Sequence, residues 1–159
     1  MTVSEPLADW LKGYSFPGGL TYAGHPLACA SGVAAIRAMI EENTLAQASD
    51  NGAYLRERLQ VMADQHPSIG EVRGLGMFNG IELVKDRETR EPLVPFAAKG
   101  EAAKPMSEMM AFAMNKGLYL SSFSNVIRVT PPLNISRDDI DTGLMILDET
   151  LEIADRIAA

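Results

Sequence analysis

Ile69-Gly70-Glu71-Val72-Arg73-Gly74-Leu75-Gly76-Met77-Phe78-Asn79-Gly80-Ile81-Glu82-Leu83-Val84 is the stretch on which the fold turns. Residues 69–72 and 77–84 are short apolar-rich runs, and Arg73-Gly74-Leu75-Gly76 between them has the glycine spacing of a turn, so the stretch predicts two adjacent strands. Upstream, Pro67 ends a helix expected over residues 44–65. Its Leu45, Ala48, Leu55, Leu59 and Met62 recur near the helical period, and Asn43 is its expected N-cap. Downstream, the charged run 85–91 reads as a solvated turn, and a loop continues to about Lys104. Pro105 then opens a helix with Met106, Met109, Met110 and Ala113 as its core filler and Gly117 as its stop. Residues 118–120 and 126–129 predict two more strands about a turn at 121–125. Ser136 caps a long final helix with Asp139 at the capping-box position and Asp138 in the first turn. Ile140, Leu144, Leu147, Leu151, Ala154 and Ala158 form its inner stripe. From about residue 43 onward the pattern predicts an α+β domain, a small, mainly antiparallel sheet covered by helices.

The first 42 residues read differently. Val3 to Trp10 is a short apolar and acidic stretch, and Gly13, Pro17, Gly18, Gly19 and Gly24 mark an ordered loop. Pro26 suits the first position of a helix because its missing N–H would be unbonded there. From Leu27 to Ile40 that helix is apolar on nearly every face, and only Arg37, Glu41 and Glu42 clearly call for water. Such a helix is normally buried all round, which is a heavy demand on a chain of 159 residues. Cys29 is accordingly expected in a core.

Composition excludes several functions. A net charge of −7 argues against nucleic acid, which needs clustered Lys and Arg, and against docking on an anionic membrane. No apolar run approaches the length needed to span a bilayer, and the first residues lack the pattern of a signal peptide. The single cysteine suits a reducing, cytoplasmic setting. No spacing of His, Cys and carboxylates resembles a metal site.

Gly19-Leu20-Thr21-Tyr22-Ala23-Gly24-His25-Pro26-Leu27-Ala28-Cys29-Ala30 resembles the class III aminotransferases, fold-type-I pyridoxal-phosphate enzymes acting largely on ω-amino groups. Three further segments follow in the order that family requires: Glu71 to Met77, Ile81 to Asp86, and Ile127-Arg128-Val129-Thr130-Pro131-Pro132-Leu133. Within the class the likeness is greatest to the ω-amino-acid:pyruvate group. The resemblance implies a C-terminal portion in two parts. Residues 1–42 would end the large domain, with the cofactor-phosphate loop and linking helix, and residues 43–159 would form the small domain. It implies pyridoxal 5'-phosphate as cofactor, an amino acid or ω-amine and a 2-oxo acid such as pyruvate as substrates, and a homodimer. The Schiff-base lysine of the family has no counterpart among Lys12, Lys85, Lys99, Lys104 and Lys116. Since that amine both holds the cofactor and moves the proton, the chain alone is expected to be inactive. The alternative is a lysine-free binding or assembly module derived from the same fold.

Two residues carry the site expectations. Thr21 matches the threonine whose hydroxyl donates to the cofactor phosphate in the neighbouring subunit, although a threonine among glycines otherwise caps a turn. Arg128 matches the arginine that binds the substrate carboxylate. Its planar fork suits that role, and the competing reading is an ion pair with an acidic residue of the chain. Arg73 is expected to be structural and His25 to cap or pack. His66, beside Pro67 in a polar stretch, carries no functional signal. Many members of the family have a histidine just before the glycine that precedes the Thr21 position by two; here the corresponding pair is Gly18-Gly19.

Overall fold

The computed structural model describes residues 3–14, 18–19 and 21–158. Pro17 and Leu20 of the predicted loop lie outside the described residues. The chain forms two compact units, residues 1–41 and 42–159.

In the first unit, helix α1 (Glu5–Leu11) occupies the stretch that composition left unassigned. Proline near its start and Glu5 in its first turn favour a helix there. Helix α2 (Pro26–Glu41) begins at the predicted proline, and the His25 carbonyl accepts its first hydrogen bond, from the Cys29 N–H at 2.9 Å. None of its residues is buried, and Cys29, expected in a core, is exposed. All-round apolarity correctly marks a helix, but the burial it implied is not found among the described residues.

In the second unit, helix α3 (Thr44–Gln65) turns Leu55, Leu59 and Met62 into the core, with Ala48 partly covered. Leu45, expected on the same inner face, is 69% exposed. Asn43 precedes α3 in left-handed conformation, with φ at 52°, and its side chain caps nothing. Strand β1 (Ile69–Leu75) runs three residues further than its apolar pattern and pairs antiparallel with β2 (Phe78–Leu83). The turn is therefore Gly76-Met77, and Arg73 lies inside a strand instead of at a corner. Gly74 makes this possible: with φ at 151°, an added Cβ would stand 2.1 Å from the Phe78 carbonyl oxygen.

Helix α4 (Lys104–Asn115) follows a short 3₁₀ turn and buries Met106, Met109 and Ala113. Gly117, at φ 95°, ends it as predicted. Strand β3 is Ser121–Phe123, not 118–120, and it joins β4 (Val126–Val129) through Ser124 and Asn125 alone. Helix α5 (Arg137–Asp155) starts on Ser136, whose hydroxyl accepts the Asp139 N–H at 3.1 Å and donates to the Asp139 carboxylate at 2.7 Å. Its stripe Ile140, Leu144, Leu147, Leu151 and Ala154 is buried, whereas Ala158 lies beyond the helix and is only partly covered.

The sheet order is β1-β2-β4-β3, antiparallel throughout. Val72, Ile81, Leu83 and Ile127 point inward onto α3, α4 and α5, and one hydrophobic core results. The other face of the sheet is open and mixed: Glu71, Arg73, Glu82 and Arg128 share it with the exposed apolar side chains of Leu75, Phe78 and Phe123.

Candidate functional site

Strand alternation decides which side chains share the outer face. Arg73 pairs with Gly80, and Gly80 in turn pairs with Arg128, which pairs with Ser121. These four residues form one row across the sheet, perpendicular to the strands. The next row along contains Glu71, Glu82, Val126 and Phe123. Both candidate arginines therefore stand on one face, separated by a residue with no side chain.

Their electrostatic situations are opposite. Arg73 reaches Glu82 at 2.5 Å and Glu71 at 3.0 Å. The Glu82 hydrogen bond, opposed by partial burial and helped by Glu71, holds this guanidinium still more firmly in its charged form. Arg90, from the loop after β2, adds contacts to Glu71 at 3.4 Å and Glu82 at 3.9 Å. Two cations thus sit over two carboxylates. Arg128, by contrast, is exposed, and its guanidinium forms no hydrogen bond or ion pair with any described residue. A guanidinium on an apolar strand with no internal partner presents five donors to whatever approaches that face.

Thr21 belongs to the first unit and stands in a turn over residues 21–24, exposed and with no hydrogen bond among the described residues. The turn closes with the His25 N–H on the Tyr22 carbonyl at 3.1 Å, with Gly24 at φ 73°. At Gly19, two residues before, an added Cβ would meet nothing within 4 Å. An open hydroxyl in a glycine-flanked turn is a donor set that fits a phosphate. The His25 ring packs 5.0 Å from the Tyr22 ring.

His66 is the residue that sequence reasoning missed. It is 6% exposed and lies between two carboxylates of α5, with Nδ1 at 2.6 Å from Asp155 and Nε2 at 2.9 Å from Asp148. Ser68 donates to the second oxygen of Asp155 through its hydroxyl at 2.6 Å and its N–H at 3.2 Å. Arg87 donates to the carbonyls of Ala63, His66 and Ile69. This cluster ties the end of α3 and the start of β1 to α5. It lies on the helical side of the sheet, away from the arginine row.

A helix-backed antiparallel sheet, with an arginine unpaired among the described residues on its open face, is an α+β arrangement that class III aminotransferases share. Residues 3–151 match the family described as Aminotransferase class-III, and the chain belongs to that family. The 4-aminobutyrate aminotransferase of Escherichia coli is 38% identical over 143 residues, which cover 87% of this chain and 32% of the relative. The isoleucine 2-epimerase of Lentilactobacillus buchneri is 34% identical over 81% of this chain and 27% of its own. Among solved structures, taurine:2-oxoglutarate aminotransferase from Bifidobacterium kashiwanohense, in complex with PLP and glutamate, matches with a TM-score of 0.85. That match has 32% identity and covers 97% of this chain and 34% of the other. The chain spans roughly a third of the length of such relatives. Pyridoxal phosphate is the cofactor of this family.

Proposed function

We propose that this chain provides the carboxylate-binding and phosphate-binding contacts of a pyridoxal-phosphate-dependent aminotransferase. Its reaction moves an amino group from an amino acid or ω-amine to a 2-oxo acid such as pyruvate. The observation that carries this reading is Arg128, exposed on the open face of the sheet with no partner among the described residues. A structural arginine would be paired, as Arg73 is.

Arg128 receives the substrate carboxylate through two parallel N–H···O bonds, which fix its orientation as well as its distance. Thr21 donates its hydroxyl to a phosphate oxygen of the cofactor in the partner subunit of a homodimer. When bound, pyridoxal phosphate supplies the electron sink that acidifies the amino-bearing carbon. The chain by itself performs no turnover, because none of its five lysines stands where the family places its reactive amine. Lys12, Lys85, Lys104 and Lys116 each lie beside a surface carboxylate instead.

The test is a titration of the chain, ¹⁵N-labelled at arginine, with pyruvate and with 2-oxoglutarate. The Arg128 Nε resonance is expected to shift saturably, and Arg128→Met to abolish the response. With pyridoxal phosphate, an ω-amino acid and pyruvate, borohydride is expected to trap no lysine-specific adduct and no alanine to form. An Arg128 resonance indifferent to both acids would overturn the reading, and turnover by the chain alone would overturn its inactive part.

A further inference from the structure

We propose that Arg73 and Arg90 are positioning residues that hold the Glu82 carboxylate on the β1 side of β2, so that Arg128 stays unpaired. The inference rests on the reading of Arg128 given above and goes beyond it to what keeps that guanidinium available.

The geometry is nearly symmetric about β2. Gly80 has Arg73 across from it on β1 and Arg128 across from it on β4. Glu82, two residues along the same strand, faces the same side and is diagonal to both arginines. Diagonal neighbours on an antiparallel sheet lie within reach of long side chains. One diagonal is occupied, since Arg73 Nη1 meets Glu82 Oε2 at 2.5 Å. The other, toward Arg128, is not.

Charge distribution explains the choice. On the β1 side Glu82 finds two guanidinium groups, Arg73 at 2.5 Å and Arg90 at 3.9 Å, with Arg90 further anchored on the Gly70 carbonyl at 3.2 Å. On the β4 side it would find only one. Glu71 completes the set by accepting from Arg73 at 3.0 Å and from Arg90 at 3.4 Å. Two positive and two negative groups close on themselves, and no carboxylate is left over for Arg128. If Glu82 were released, it would neutralise Arg128 and compete with any incoming carboxylate. A plain surface ion-pair network would stabilise the sheet slightly and have no effect on Arg128.

The experiment compares four forms of the chain: wild type, Arg73→Met with Arg90→Met, the same pair with Glu82→Gln, and Glu82→Gln alone. Two readouts are followed at Arg128: solvent exchange of its Nε–H without ligand, and its response to 2-oxoglutarate. In the double variant the exchange is expected to slow, and the apparent affinity to weaken by about three- to fivefold, the worth of an exposed ion pair. Adding Glu82→Gln should restore both. Glu82→Gln alone should leave the Arg128 exchange as in wild type, and this single change keeps the test available if the double variant does not fold. An unchanged exchange rate in the double variant overturns the proposal. So does a change that Glu82→Gln fails to reverse, or a large effect of Glu82→Gln alone. Failure of 2-oxoglutarate to bind even the wild type overturns the carboxylate reading instead, and the ligand-free exchange still decides the role of Arg73 and Arg90.

Discussion

His66 Nδ1 lies 2.6 Å from Asp155 Oδ2, although 89 residues separate the two in the chain. Burial works against a charged imidazole, but the bonds to Asp148 and Asp155 outweigh it, and the His66 pKa is raised above its ordinary 6.5. A group whose folded pKa exceeds its unfolded one contributes stability in full below the unfolded value, and that contribution is lost as the pH rises through the folded value. The expected outcome is a pH-dependent penalty for His66→Gln. Near pH 6 the variant should lose about 1.5–3 kcal/mol, the worth of hydrogen bonds to charged partners, and the gap should narrow by about pH 9. Urea unfolding of both forms across that range measures it. A gap that widens with pH would show that the ring is held neutral.

Gly52 and Gly143 both sit inside helices, yet alanine should act in opposite directions at the two. At Gly52 of α3 a new Cβ would lie 2.7 Å from the backbone of Gly76, in the β1–β2 turn, and neither backbone can yield cheaply. Gly52→Ala is expected to cost about 1–3 kcal/mol. At Gly143 of α5 the nearest atom is a Leu118 methyl at 3.7 Å, ordinary contact, so Gly143→Ala should add about 0.5–1 kcal/mol through helix propensity. Denaturant midpoints of the two variants decide the matter, and a loss at Gly143 would contradict the packing described for α5.

Helix α2 leaves Leu27, Ile36 and Ile40 at 72%, 60% and 72% exposure. Apolar surface of this kind drives association, at about 1.5–3 kcal/mol for each large side chain fully covered. The 159-residue chain is therefore expected to self-associate, and a chain beginning at Asn43 to sediment as a monomer. A monodisperse full chain beside a shortened one that fails to fold would refute this.

Much of the second unit was legible because it obeys local rules. Residues 44–65, 104–115 and 137–155 announce themselves by period, by proline at a start and by serine at a cap. Arg128 was legible as an unusual cation on an apolar strand. The misplaced pieces have non-local causes. The leucines at 118 and 120 look like a strand, but pairing belongs to Ser121–Phe123, because Ser124 at φ 52° turns the chain and no glycine advertises it. Arg73 looked like a turn residue because two glycines follow it, and only the crowded position of Gly74 against Phe78 explains why the strand continues. His66 was opaque for a simpler reason. Its neighbours are polar, and the carboxylates that bury it come from a helix 82 and 89 residues further on.

The strand order β1-β2-β4-β3 also fixes how the arginine row comes into being. Each outer pair, β1–β2 and β3–β4, is a hairpin closed by a two-residue turn, a contact that forms fast and early. The central seam is another matter. It joins Asn79 to Val129, 50 positions apart, and must close a loop containing all of α4. Closing that loop costs more chain entropy than either hairpin, and non-local pairings of this kind slow folding. Arg73 and Arg128 ride on different hairpins, so neither hairpin alone contains the row. It is completed only when the two halves of the sheet dock.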